Sequence, residues 1–439
     1  MESNRIGNYE LFDKIGEGSF AFVWEGRNTI TNCPCAVKQF RKDTFNHEAA
    51  VSMNREISIM QILDHPLIAQ LYEVVETQHD TFLFMELVDN GTLLEYINKN
   101  APISENKSRI IFAQIVAVLD YLHNEKRVVH RDLKAENILI DQNDNIRVID
   151  FGLSNVLNQN TVLYTACGSS AYVAPEMLLN KPYTQAADIW SAGVLLYAMN
   201  AAHLPFEDSN VTRLVDKVLN RQPEYPPAFS KNLTELISKM LTKDPSQRIT
   251  LEGILHDPWF LSDALGNSFS YNFKTLGKYK LISNPYNIEL DEEVLSRLAE
   301  FGIDTTNLKS DLAMNKMTDA TAAYKSIHRE LFLERGACLI DEMIIPVHRQ
   351  FSNSSVNVTR HILLSEIPPM KNSTETNLAI LQNPPLLAKV PSKFGGQIPT
   401  IPSKNGPIIN LIVPNIKNRS ATNLQSRPSR RIIVNVCKK

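Results

Sequence analysis

Two short runs constrain this chain more than any other feature: His130-Arg131-Asp132-Leu133-Lys134-Ala135-Glu136-Asn137 and, after a gap of twelve residues, Asp150-Phe151-Gly152. The first packs a proton acceptor, a cation and an amide into one loop. The second sets a carboxylate ahead of a flexible glycine. Oxygen donors of this kind suit a hard divalent cation. A carboxylate two residues before a lysine suits proton removal beside developing negative charge. Either run alone carries little weight, because an acid in a loop is most often a helix cap or a turn residue. In this order and spacing they call for a fold that brings two loops to one point.

Patterning divides the chain. From about Tyr9 to Glu86, the stretches Leu11–Ile15, Phe22–Gly26 and Cys35–Phe40 alternate apolar and polar with β-branched and aromatic enrichment, and are expected strands. One helix interrupts them: Met53, Ile57, Met60 and Leu63 recur at helical spacing, and His65-Pro66 ends it. Leu71–Glu76 and Phe82–Glu86 follow as a strand pair. After Asp89-Asn90-Gly91 the pattern turns helical, first over Ser104–Asn124, then over Asp188–Asn200, Val211–Leu219 and Leu233–Leu241. A small sheet-rich lobe followed by a larger helical lobe is the expectation. Beyond Leu261 a polar connector runs to about Asn287. Leu290–Arg335 reads as three short helices, with breaks at Phe301-Gly302-Ile303 and near Met317-Thr318-Asp319. The remainder is rich in Pro, Asn and Ser, with apolar islands at Ile408–Val413 and Ile432–Val436.

Gly16-Glu17-Gly18-Ser19-Phe20-Ala21-Phe22-Val23 lies between two expected strands. Glycines there permit a tight turn and let backbone N–H groups approach phosphates. A dinucleotide site would need a helix after the glycines; a strand follows instead, leading to Ala36-Val37-Lys38. With the two opening runs, this strongly resembles the eukaryotic serine/threonine protein kinases, from about Tyr9 to Phe260. The resemblance implies an α+β, bilobal protein kinase fold over residues 9–260, with an N-lobe at about 9–86 and a C-lobe at about 89–260. A linker at 261–287, a helical module at 288–335 and a basic, mostly disordered tail at 336–439 complete the expected organisation.

The same resemblance implies roles. Lys38 holds the α and β phosphates of ATP, paired with Glu56, chosen among the acids of its helix because Met60 and Leu71 then continue an apolar column through Phe151 and His130. Ile15, Gly16, Glu17, Gly18, Ser19, Phe20 and Ala21 form the phosphate-covering loop, with Ala21 in the third glycine's place. Val23, Ala36 and Leu139 sandwich the adenine, Met85 guards the back, and Glu86 and Val88 offer backbone groups. Asp132 accepts the substrate proton, Lys134 neutralises the transferring phosphoryl group, and Asn137 and Asp150 hold Mg²⁺. Glu176 pairs with Arg248 to brace the lower lobe.

Leu153–Val173 resembles an activation segment, in which Thr165 takes an activating phosphate from an upstream kinase and Arg131 clamps it. Within the kinases, the closest likeness is to the calcium/calmodulin-dependent-kinase-like group, especially AMP-activated-kinase relatives and microtubule-affinity-regulating kinases. Thr92 and Ala198 stand where strongly Arg-directed kinases carry glutamates, and Ser170 replaces a proline common in those relatives, so only a mild preference for basic substrates, read by Glu136, is implied. Residues 288–335 resemble the ubiquitin-associated-like module of the same relatives, which docks on its own kinase domain.

Charge is uneven. From Ile367 onward eleven Lys and Arg face one acid, Glu375, a net of +10 that leaves about −13 elsewhere. Such an arm suits acidic lipid, an acidic protein or the acidic body itself. It lacks interleaved aromatics, so no nucleic acid is expected. The five cysteines fit neither a disulfide framework nor a zinc site and are expected as thiols. No apolar run approaches the ~20 residues that span a bilayer, and the expected location is the cytoplasm, with the nucleus left open. The alternative to an active kinase is a catalytically silent scaffold of the same fold. Silent relatives lose the lysine, the proton-accepting aspartate or the metal aspartate, and Lys38, Asp132 and Asp150 are all present.

Overall fold

The computed structural model describes residues 5–17, 21–44, 47–156, 170–262, 269–281, 288–335, 338–346 and 434–435, all of which belong to one unit of the chain. Alternation shapes the first lobe. β1 (Arg5–Ile6), β2 (Tyr9–Glu17), β3 (Ala21–Asn28), β4 (Pro34–Arg41), β5 (Leu71–Glu76) and β6 (Asp80–Met85) pair antiparallel in the order β1-β2-β3-β4-β6-β5. Val434–Asn435 adds in parallel beside Gly16–Glu17. Successive side chains leave a strand on opposite faces, so register decides what each face carries. Val23 stands opposite Lys38, and Ala36 opposite Met85, which puts all four on one face. The other face holds Tyr9, Cys35, Val37, Phe82 and Phe84 as a separate apolar cluster. α1 (His47–Ile62) contributes Met53, Ile59 and Met60 to the main core, together with Leu63 just beyond its end and Leu71 and Leu83 from the sheet.

The second lobe is built on α2 (Leu93–Asn100), α3 (Glu105–Asp120) and the helix Ala186–Ala201. Thr92 starts α2 with a reciprocal cap: Glu95 N–H donates to Thr92 Oγ1 at 3.1 Å, and Thr92 N–H donates to the Glu95 carboxylate at 2.9 Å. Thr92→Ala removes half of that box and should cost about 1 kcal/mol of unfolding free energy, measurable by urea titration. α3 buries Ile111, Phe112, Ile115, Val116 and Leu119. The Ala186–Ala201 helix is buried over almost its whole length, as its continuous apolar run requires. Against α3 lies a hairpin, Ile138–Ile140 paired with Ile146–Val148, whose flanking loops are the two runs that opened the sequence.

Three expectations change beyond residue 260. The connector is packed: Phe269–Tyr271 pairs antiparallel with Ile344–Pro346, and Leu276 in the turn Phe273–Tyr279 is fully buried. Folded structure also passes the expected boundary at 335. Leu339, Ile340 and Met343 of the helix Leu339–Met343 are buried, and Leu339 N–H donates to Asn145 Oδ1 at 2.9 Å. Three apolar residues in so short a stretch give no period to read, and their burial depends on a surface 194 residues away. The third helix of the module, Asp319–Glu334, runs sixteen residues and is not short. Its extension is used against the body rather than within the module. Arg329 donates to the carbonyls of His65, Pro66 and Ile68 at 2.8–3.3 Å. Cys33 of the first lobe donates to Glu330 and joins the apolar cluster of Val294, Leu298, Leu308, Leu312 and Ile327. No helix among the described residues is long and apolar enough to cross a membrane.

Candidate active site

The face of the sheet that carries Val23, Ala36 and Lys38 looks toward the hairpin of the second lobe, and the charged side chains gather between them. Lys38 Nζ lies 2.5 Å from Glu56 of α1 and 3.6 Å from Asp150. Burial by itself would push the Lys38 ammonium down, but Asp150 and Glu56 outweigh it and hold it above the usual lysine range, so it stays charged. Burial also works against ionised Asp150, yet Lys38, Lys134 and the Gly152 N–H keep its carboxyl below the usual carboxylate range. Glu56 is pushed up by its deeper burial and drawn back by Lys38. Ser52, one turn before Glu56, donates to Gly152 O at 2.8 Å and ties α1 to the Asp150 loop.

The second charged group adjoins the first. Lys134 Nζ is 2.6 Å from Asp132 Oδ2, and Asn137 Nδ2 donates to both the backbone and the carboxylate of Asp132 at 2.9 and 3.0 Å. Ile149 N–H donates to Asn137 O, which joins the two loops directly. Asn137 therefore spends its amide nitrogen on Asp132, which turns its side-chain oxygen toward other partners. The Asp150 side chain is 33% exposed while that of Lys38 is 11% exposed, so a carboxylate edge remains open to a ligand. One oxygen donor on each of the two joined loops fits Mg²⁺, which takes one or two protein ligands and completes its shell with phosphate and water.

Around this cluster, Val23 and Leu139 are buried and Ala36 is half-buried. Glu86 N–H already donates to Gln70 O, so any contact to a base falls to its carbonyl and to Val88. Met60, Leu71 and Phe151 are buried in one cluster, with the His130 ring 4.9 Å from that of Phe151. Burial pushes the His130 imidazole down, which favours the neutral ring against Phe151. Arg131 adopts φ 72 and lies over the Tyr183 ring at 5.4 Å. Arg248 meets Glu176 in a two-pronged pair at 2.7 and 2.9 Å. Ile15, Gly16 and Glu17 end β2, and Glu17 pairs with Lys14 at 2.8 Å. Gly18, Ser19, Phe20 and Thr165 lie outside the described residues.

Two positioning groups had no role assigned from the sequence, although Asp188 opens a run, Asp188–Gly193, that matches a structural block of the kinase family. Asp188 is fully buried, accepts the N–H groups of His130 and Arg131 at 2.9 Å each, and takes His123 Nε2 at 2.7 Å. Its own burial is offset by these donors, which hold its carboxyl low. It fixes the backbone from which Asp132 projects. Arg147 is buried between Glu86, at 2.8 Å, and Asp141, at 3.5 Å. An arginine inside the apolar run Ile146-Arg147-Val148-Ile149 was the available signal, since such a charge is rarely buried unless paired.

Residues 9–260 match the family model described as protein kinase domain. Among curated proteins, the SNF1-related protein kinase catalytic subunit alpha KIN12 of Arabidopsis thaliana is 36% identical over 323 residues, covering 73% of this chain and 64% of that protein. The CBL-interacting protein kinase 31 of Oryza sativa subsp. japonica is 41% identical over 261 residues, 58% of each chain. The probable serine/threonine-protein kinase MARK-A of Dictyostelium discoideum is 40% identical over 259 residues, 58% of this chain and 24% of that protein. The matched spans thus cover between about a quarter and just under two thirds of these relatives.

Proposed function

The chain belongs to the protein kinase family, and we propose that it is an active serine/threonine kinase that moves the γ-phosphoryl group of ATP to Ser and Thr hydroxyls of protein substrates. The observation that carries this reading is the closed cluster, with Lys38 between Glu56 and Asp150 and with Asp132, Lys134 and Asn137 alongside. A silent scaffold has no use for so many charged groups held together against the cost of burying them.

In this reading Lys38, steadied by Glu56, grips the α and β phosphates, and Val23, Ala36 and Leu139 close on the adenine with Met85 behind it. Asp132 receives the proton of the substrate hydroxyl and aims that oxygen at phosphorus. Lys134 sits beside Asp132 and follows the negative charge of the transferring group. Asn137 and Asp150 would supply the oxygen donors for Mg²⁺, which when bound would neutralise charge on the phosphates. Alignment and charge compensation carry the rate, with no covalent intermediate. Incubation of the purified protein with Mg²⁺, ATP and a degenerate Ser/Thr peptide library should give labelled peptides. Loss of both nucleotide binding and labelling, with the loop threonine phosphorylated, rejects the reading.

Control by phosphorylation at Thr165 is the second part of the proposal. It rests on the position of Thr165 in the sequence and on the presence of Arg131 directly before Asp132. A phosphate there adds about −1.5 to −2 charge and can order the loop through charge-assisted hydrogen bonds. Thr165→Ala should lower peptide phosphorylation by about tenfold or more, the worth of one such bond; unchanged activity removes Thr165 from the scheme. Glu136 has a buried carboxylate oxygen with no hydrogen-bond partner among the described residues, which suits a basic side chain near the target hydroxyl. The contacts of the Asp319–Glu334 helix with the body support an intramolecular regulatory role for the module. The basic tail is proposed to contact acidic lipid or protein, in a cytoplasmic setting.

A further inference from the structure

A cavity of about 280 Å³ opens where the end of α1, the turn after α3, the connector and the helical module meet. It is separate from the cluster of Lys38, Asp132 and Asp150, none of which lines it. Its walls are unusually rich in lysine: Lys126, Lys280, Lys316 and Lys325 face two carboxylates, Asp64 and Glu125.

Pairing accounts for only half of these cations. Lys280 lies 2.8 Å from Glu125, and Lys316 lies 3.0 Å from Asp311. Lys325, on the Asp319–Glu334 helix, is 7% exposed, yet it makes no hydrogen bond or ion pair with any described residue. Lys126 likewise has no carboxylate within ion-pair distance among the described residues and rests over the Tyr121 ring at 5.5 Å. Asp64 acts on both only from a distance, and its Oδ1 accepts the Leu281 N–H at 3.0 Å. Burial pushes both ammonium groups down, as expected for charges that lack a partner. A buried charge is normally paired, yet buried Lys325 and half-buried Lys126 reach one cavity from different parts of the chain without an ion-pair partner among the described residues.

We propose that this cavity is a binding site for a small phosphate-bearing anion, with Lys325 and Lys126 as its charge partners. The cavity, at about 280 Å³, has room for an anion of inorganic phosphate or pyrophosphate size. Lys325 belongs to the module and Lys126 to the kinase body, so an anion between them favours the docked arrangement of the module. The inference does not depend on catalytic activity, and it stands or falls separately from the proposed function.

The test uses the full chain and inorganic pyrophosphate without Mg²⁺, followed by isothermal titration calorimetry and by the shift in melting temperature. Saturable binding is expected, and it should persist when a non-hydrolysable ATP analogue is present in excess. Lys325→Met keeps most of the stem and removes the charge, and should weaken binding by about tenfold or more, equivalent to about 1.4 kcal/mol per tenfold. Lys126→Met should do the same, and it serves as the independent check should Lys325→Met fail to fold. Lys274→Met, which lies outside the cavity, should leave affinity unchanged. Absence of saturable binding, competition by the ATP analogue, or wild-type affinity in a folded Lys325→Met or Lys126→Met variant overturns the proposal.

Discussion

Asp132→Asn is expected to slow phosphoryl transfer by about 10²–10⁴-fold, the usual worth of a positioned general base, while the protein stays folded and still binds nucleotide. The substitution is close to isosteric. It keeps an oxygen that can accept from Asn137, and it leaves untouched the backbone carbonyl to which Asn137 Nδ2 also donates at 2.9 Å. The backbone around position 132 is set from elsewhere, by the two N–H bonds of His130 and Arg131 to Asp188. What the amide lacks is a site for the hydroxyl proton and a negative charge beside Lys134, now 2.6 Å away. Transfer of labelled phosphate to a peptide reads the loss. A melting curve and nucleotide titration on the same sample separate it from misfolding. A folded Asn variant as active as its parent sinks the assignment of Asp132 as the base.

Local patterns and short motifs made much of this arrangement legible beforehand. Alternation placed the strands that carry Val23, Ala36 and Lys38, and the register of those strands then sets them on one face without further information. Helical spacing of Met53, Ile57, Met60 and Leu63 located α1, and choosing Glu56 by its relation to Met60 named the acid that lies beside Lys38. Illegible features share one cause. Asp188 meets residues 57 and 58 positions away, Arg329 meets carbonyls 261 to 264 positions away, and Leu339 meets Asn145 across 194. Such contacts leave no periodicity or spacing in the sequence, because each partner satisfies only its own neighbourhood locally. The helix Asp319–Glu334 was expected to be short for the same reason: its last turns are apolar or charged toward a body that the module's own sequence does not describe.

The largest stability effect is expected from Glu86→Gln, at about 3–5 kcal/mol. Glu86 is 3% exposed and stands between two buried arginines, with Arg147 Nε at 2.8 Å and Arg329 Nε at 3.6 Å. Gln has nearly the same shape and can still accept the Gln70 N–H that reaches Glu86 Oε2 at 3.2 Å, so the change removes charge rather than packing. Loss of one partner from a buried ionic group is costly because the others stay behind uncompensated. The two arginines should not suffer equally. Arg147 keeps Asp141 at 3.5 Å, whereas Arg329 is left with the carbonyls of His65, Pro66 and Ile68. The weakened contact is therefore the one that joins the Asp319–Glu334 helix to the body, and amide hydrogen exchange should accelerate in residues 319–334 before it does in α3. Adding Arg329→Met to Glu86→Gln removes the stranded cation, so the double variant should be more stable than the sum of the single losses predicts. Strict additivity of the two changes, or a Glu86→Gln protein as stable as its parent, would show that the Glu86 carboxylate does not hold the module helix through charge.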